Sequence, residues 1–178
     1  MERKITLVSV GKVEKKIKEA LIQPLKEEFQ CPVDTRKGLD IPSQAFSEER
    51  KQYLAPSFLN KLRFSFHPEG EEKVLGITGV DLYVPQLNFV FGQAEFGGHF
   101  ALISLERLHP CFYGEPEDEK LFQKRAEKEA VHELGHAFGL EHCSEPECVM
   151  YFSNSLRDTD RKSHSFCQRC RSLLDKSG

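Results

Sequence analysis

The 178-residue chain contains no tryptophan, only two methionines and no long apolar run; stretches such as Phe100–Ile103 are far too short to span a bilayer. A membrane bundle is therefore excluded, and no membrane partner is expected. Neither sign of charge dominates, with 25 Lys+Arg against 28 Asp+Glu, a net −3. The basic residues near the C-terminus are scattered (Arg157, Arg161, Lys162, Arg169, Arg171), so the basic face that nucleic-acid binding calls for is missing and no nucleic-acid partner is expected. Disorder is excluded as well, because 39% hydrophobic and 30% charged residues suit a globular chain. A chain of this length buries roughly 70% of its unfolded surface, enough for a real core. Met-Glu-Arg-Lys leads only into Ile5–Val10 before Gly11, too short an apolar stretch for a secretory leader, so a cytoplasmic location is expected.

That location bears on the six cysteines. Disulfides are rare in a reducing compartment, where clustered cysteines more often hold metal. Cys143, Cys148, Cys167 and Cys170 form such a cluster, whereas Cys31 and Cys111 stand alone and read as small buried hydrophobes.

Alternating β-branched residues over Lys4–Val10 predict a strand, and apolar residues at helical spacing predict a helix over Val13–Phe29. Cys31–Asp34 reads as a short second strand and Gly38–Ser43 as loop. Ser47 reads as the start of a helical pattern running to Arg63, kinked or divided at Pro56. Three strands are expected next, over Lys73–Tyr83, Asn88–Ala94 and His99–Leu105. A long helix follows from Glu117 to Leu140, opened by acidic residues that suit its dipole. This order implies an α/β (α+β) fold, a mixed twisted sheet with helices packed on it. The periodic helix gives way after His142 to a polar, cysteine-rich tail. The chain thus reads as a single domain made of an N-terminal catalytic subdomain, 1–142, and a C-terminal subdomain, 143–178.

The long helix ends in His132-Glu133-Leu134-Gly135-His136-Ala137-Phe138-Gly139-Leu140-Glu141-His142. His132 and His136 are four residues apart and share one helix face, so they can share one cation. Glu133 is turned about 100° round the helix and can approach a metal-held water without being a ligand. Gly139 suits a left-handed helix end, after which three residues can swing His142 back to the same ion. Three imidazoles plus water make an open tetrahedral site of the kind catalytic zinc needs. HExxH alone is a weak signal; the added Gly139 and His142 make this one specific. Its competitor is three ordinary histidines on an amphipathic helix. The four cysteines form two close pairs, the pattern of a closed structural zinc site, in a tail with too few apolar residues to fold by burial alone. Disulfides, a redox pair at Cys167 and Cys170, or His164 in place of one cysteine are the competing readings there.

The run HExxHxxGxxH resembles the metzincin metalloproteases. Its continuation through Cys143, Cys148, Val149-Met150 and Cys167-Gln168-Arg169-Cys170 resembles the archaemetzincin family among them. The resemblance implies a metzincin-like fold and a zinc metallopeptidase with two zinc ions, one catalytic and one structural. It implies His132, His136 and His142 as ligands of the first and Glu133 as general base toward a zinc-activated water. Cys143, Cys148, Cys167 and Cys170 would hold the second, with Met150 packed beneath the histidines and not bound to metal. It also implies an edge strand that pairs with the substrate backbone, for which Asn88–Ala94 is the candidate. The expected partner is a peptide or protein substrate, and the expected state a monomer. Two other function classes stand beside this one. A metal-dependent endoribonuclease with an HGxxHxxGxDH motif would carry Gly at Glu133 and Asp at Glu141. A non-catalytic zinc module would not need Glu133 at all.

Overall fold

The structure is a computed structural model and describes residues 2–176. Lys4–Val10 forms β1, buried at every residue after the first because it has a parallel neighbour on each side. The helix α1, Lys15–Phe29, leads to β2, Val33–Leu39. Pairing with β1 carries β2 past the expected Asp34 and through Gly38; its exposed charges, Asp34, Arg36 and Lys37, suit a sheet edge.

The expected helix from Ser47 is replaced by β3, Phe46–Ser47, a turn, and β4, Gln52–Leu54. Phe46 sits opposite Tyr53 with ring centroids 4.9 Å apart, a cross-strand aromatic pair that outweighs the weak helical pattern. Only then does α2 begin, Ala55–Ser65. Pro56 lies in its first turn, where a missing N–H costs nothing, so it opens the helix rather than kinking it.

The expected strand over Lys73–Tyr83 is divided: β5, Glu72–Thr78, joins the main sheet, and β6, Leu82–Tyr83, pairs with β4. β7 is confined to Gly92–Ala94, and β8 covers Phe100–Ser104. The main sheet runs β2-β1-β5-β8-β7, parallel except for β7, which pairs antiparallel with β8 and is the far edge. Then comes α3, Glu119–Ala137, shorter at each end than expected; Asp118 caps it by accepting the Leu121 N–H at 2.9 Å. The short α4, Leu156–Arg161, and α5, Gln168–Lys176, are the last elements among the described residues.

Alternation along the strands divides the core. Ile5 and Leu7 face α1 and α3, whereas Val8 and Val10 face α2 and the small sheet. Residues after His142, including Met150, Phe166 and Leu174, join the α1–α3 side of this core. Cys31 is buried as expected; Cys111 is exposed, because Pro110–Tyr113 forms a surface 3-10 turn. Among the described residues, no helix is long and apolar enough to cross a membrane.

Polar contacts fasten α4 to α3. The buried Arg125 guanidinium makes two 2.7 Å bonds to Asp160 and a third, at 3.0 Å, to the Leu108 carbonyl. Lys128 donates to the Thr159 and Asp160 carbonyls at 3.0 Å. Arg125→Met keeps the stem but strands the Leu108 carbonyl, while the exposed Asp160 carboxylate returns to water. The expected loss is about 1–2 kcal/mol of stability, read from denaturant midpoints at unchanged slope.

Candidate metal centre

The last two turns of α3 present His132 and His136 on one face. Each Nδ1 lies against a backbone carbonyl, that of Val149 at 2.8 Å for His132 and that of Leu140 at 2.7 Å for His136. A carbonyl can only accept, so both Nδ1 atoms carry hydrogen and both Nε2 atoms present lone pairs. Those two Nε2 atoms face each other at 3.1 Å. Tetrahedral zinc with Zn–N bonds of about 2.0–2.1 Å puts ligand nitrogens roughly 3.3–3.4 Å apart, so the spacing fits an ion between them. Gly139, at φ +87°, ends the helix in the left-handed region; its N–H donates to the His136 carbonyl and the Leu140 N–H to that of Gly135, both at 2.9 Å. This reversal brings His142 in, and one nitrogen from each of the three rings lies within 4.8 Å of the others.

The electrostatics suit lone-pair donors. Burial pushes the His132 imidazolium well below the usual histidine range, with the Lys162 ammonium adding to it. Burial likewise brings His136 down to about 4, and lowers His142 with help from Lys162. All three rings are therefore neutral at pH 7.

Glu133 is 7% exposed and lies against the backbone of Gly92 in β7. Burial, then the nearby Glu129 carboxylate, raises its carboxyl well above the ordinary glutamate range, against the pull of Lys162. Met150 is fully buried and packs on Gly135, on the turn between His132 and His136, where any side chain would collide with its sulfur.

The four cysteines form a second cluster, one sulfur from each lying within 4.8 Å of the others. Cys143 Sγ and Cys167 Sγ are 3.8 Å apart, the separation about 2.3 Å Zn–S bonds impose on a tetrahedron. Backbone N–H groups of Glu145 and Cys167 point at the sulfurs of Cys143 and Cys148, at 3.5 and 3.3 Å. Burial raises the thiols of Cys148 and Cys170. At Cys167 burial is outweighed by hydrogen bonds from the Cys170 backbone and the neighbouring thiols, and the thiol is lowered. His164 is not in the group.

Two hollows flank the histidines. A cavity of about 200 Å³ lies beside Glu133, walled by Leu87–Gly92, Phe152 and Ser153, with Glu129 and His132 also lining it. A wider groove of about 330 Å³ lies between Phe96, the Leu140–Cys143 segment and α5. Within the expected edge segment Asn88–Ala94, Gly92–Ala94 pairs with β8 and Val90 bridges antiparallel to Leu82 of β6, while residues 88–91 also line the cavity. Tyr113, outside both hollows, donates its hydroxyl to the Arg107 carbonyl at 3.0 Å.

Sequence reasoning missed a buried pair behind His132. Lys162, only 1% exposed, reaches Glu129 Oε1 at 3.1 Å and lies 3.5 Å from His132 Nδ1. Thr159 Oγ1 donates to the same Glu129 oxygen at 3.0 Å. Nothing in the sequence separates Lys162 from the exposed basic residues around it.

The family model for peptidase family M54 matches residues 9–176. The chain is 45% identical to an archaemetzincin from Pyrococcus furiosus over 181 aligned residues, covering 99% of this chain and 94% of that one. Among solved structures it resembles the archaemetzincin of Methanopyrus kandleri, with 40% identity, a TM-score of 0.86, and 99% of this chain and 95% of that one covered. A zinc-dependent peptidase from Methanocorpusculum labreanum is 32% identical with a TM-score of 0.82, covering 96% of this chain and 99% of that one.

A methyl group on Gly92 would lie 2.6 Å from Glu133 Cγ and 2.5 Å from the Leu102 carbonyl. Gly92→Ala must therefore displace either Glu133 or the β7 edge, at a cost of about 1–3 kcal/mol. Peptide hydrolysis is expected to fall at least about tenfold while metal content, measured by elemental analysis, stays unchanged.

Proposed function

The chain belongs to peptidase family M54, and from that premise we propose that its zinc-dependent hydrolysis of peptide bonds runs at His132, His136 and His142 with Glu133 as general base. The observation that carries this reading is the pair of Nε2 lone pairs facing each other at 3.1 Å, with Glu133 on the next residue of the same helix. Zinc held there would supply Lewis acidity toward water and the scissile carbonyl. Glu133 takes a proton from the attacking water and delivers it to the leaving amine, a task that suits a carboxyl whose hold on a proton is raised by burial. The outer edge of β7 offers backbone groups to which an extended peptide can add antiparallel.

Cys143, Cys148, Cys167 and Cys170 hold a second, structural zinc, giving two per chain. A site of four thiolates is closed and does no hydrolysis. We read 143–178 as a metal-stapled subdomain within one metallopeptidase domain, acting on peptide or protein substrates as a cytoplasmic monomer with no nucleic-acid or membrane partner. The balanced charge supports the last point. The ribonuclease and non-catalytic readings have no observation in their favour, since Glu133 is present and buried beside the histidines.

Glu133→Gln is expected to keep fold and zinc yet lower kcat by about 10² or more; unchanged turnover in the zinc-replete variant would remove Glu133 from the mechanism. Metal analysis tests the pairing of sites. His136→Ala should lose one equivalent of zinc and all activity while the chain stays folded. Cys170→Ser should lose the other equivalent and loosen the segment after His142, because metal binding there contributes to folding. A single zinc in the native protein would overturn the second site.

A further inference from the structure

The cavity beside Glu133 holds two polar features that hydrolysis leaves unused. Glu129 is only 2% exposed, yet its carboxylate lines this cavity. Both donors it receives, Thr159 Oγ1 and Lys162 Nζ, go to Oε1, so Oε2 is left to the cavity. Ser153 lines the same cavity, and its Oγ is buried with no partner. Asn88 and Asn154 lie on the lining with His132 and Glu133, and the apolar walls come from Leu87, Phe89, Phe91 and Phe152.

Strand direction fixes which part of a substrate meets this cavity. β7 runs from Gly92 to Ala94; the cavity lies at its start and the Phe96 groove just past its end. A peptide added antiparallel to β7 therefore carries the residues C-terminal to the scissile bond toward the cavity.

We propose that this cavity selects, immediately after the scissile bond, a long side chain that ends in N–H donors, and that Glu129 is the specificity-determining residue. The inference rests on the reading of the histidine site given above. A carboxylate oxygen can only accept, and a site built to meet a donor rejects an analogue lacking one far more strongly than an apolar pocket rejects a missing methylene. Lysine, arginine and glutamine each bring an aliphatic stem for the phenylalanine walls and donors for Glu129 Oε2 and Ser153 Oγ. Methionine matches them in length and offers no donor, and glutamate sets a second carboxylate against Glu129. Because Lys162 already balances the Glu129 charge, what Glu129 contributes to the choice is hydrogen bonding and not net charge.

The test is a set of peptides identical except at the residue after the scissile bond, carrying Lys, Arg, Gln, Met or Glu. They are cleaved by the zinc-loaded protein, with products read by mass spectrometry. The expected kcat/KM for Lys, Arg and Gln exceeds that for Met about tenfold or more, with Glu the poorest. The double variant Glu129→Met/Lys162→Met removes the acceptor together with both charges and should bring the Lys-to-Met ratio to within about threefold. If that variant does not fold, the native series decides alone: equal rates for Lys and Met, or a preference for Met, overturn the proposal. A Glu133→Gln control separates the two readings. Cleavage that this control lowers about 10² or more but that ignores the varied residue overturns the pocket assignment and leaves the histidine site standing. Cleavage undiminished in the zinc-replete control removes Glu133 from the mechanism, and with it the reading on which the pocket assignment rests.

Discussion

The carbonyls of Val149 and Leu140 each accept the Nδ1 proton of one imidazole, and so turn two Nε2 lone pairs toward the same point. The Leu140 carbonyl arrives because Gly139 can adopt a left-handed conformation and reverse the chain two residues past the helix end. The Val149 carbonyl belongs to a loop fastened by Val149 N–H to Ser165 O at 3.0 Å and Cys143 N–H to Met150 O at 2.9 Å. That loop is closed in turn by the cysteine cluster. The orientation of the first histidine thus depends on contacts made 17 residues further along the chain.

The same face carries a concentration of buried charge. Glu129, Glu133, His132 and Lys162 are each under 8% exposed, and the Glu129–Lys162 pair has been withdrawn from water almost completely. A buried ion pair is weak support for stability, because desolvation offsets much of its attraction. Its geometry points to positioning instead. It ties α4 to α3 at the turn just before the metal motif, and sets a fixed positive charge behind His132 that opposes protonation of all three imidazoles. Arg125 and Lys128 add polar ties between the same two helices, so the wall of the cavity beside Glu133 is held by directional bonds where the neighbouring core is held by apolar packing.

The sequence was most informative where one pattern acted alone. β1 has the expected bounds, because β-branched alternation met no rival signal; the metal motif could be read because helix geometry itself spaces His132 and His136, and Gly139 marks the turn that brings His142 to them. Where two local signals competed, the tertiary partner decided. Ser47-Glu48-Glu49 resembles a helix start, yet the Phe46–Tyr53 pair folds the segment as a hairpin. The division between β5 and β6 follows from which sheet each strand joins, which Lys73–Tyr83 does not encode locally. Lys162 was the least legible residue: a lysine among exposed basic neighbours has no sequence mark of burial, and its partner Glu129 lies 33 positions away on α3.

The three histidines are anchored in descending order. His132 is buried and bonded to a carbonyl, His136 is half-buried and bonded to another, and His142 is exposed. Among the described residues no side-chain hydrogen bond fixes His142; its ring packs on Phe152, centroids 4.9 Å apart, and against the rings of His132 and His136. What places it is the backbone on either side. Gly139 sets the path before it, and directly after it Cys143 is buried, donates its N–H to Met150 and gives its sulfur to the cysteine cluster. A helix can present two ligands from its own periodicity, but a third from a different direction needs a second fixed point. The cysteine cluster is that point, one peptide bond from the residue it locates. The two sites are thus chemically opposite, one nitrogen-rich and partly open, the other sulfur-rich and closed, yet mechanically continuous, and whatever loosens the sulfurs is felt first at the least anchored histidine.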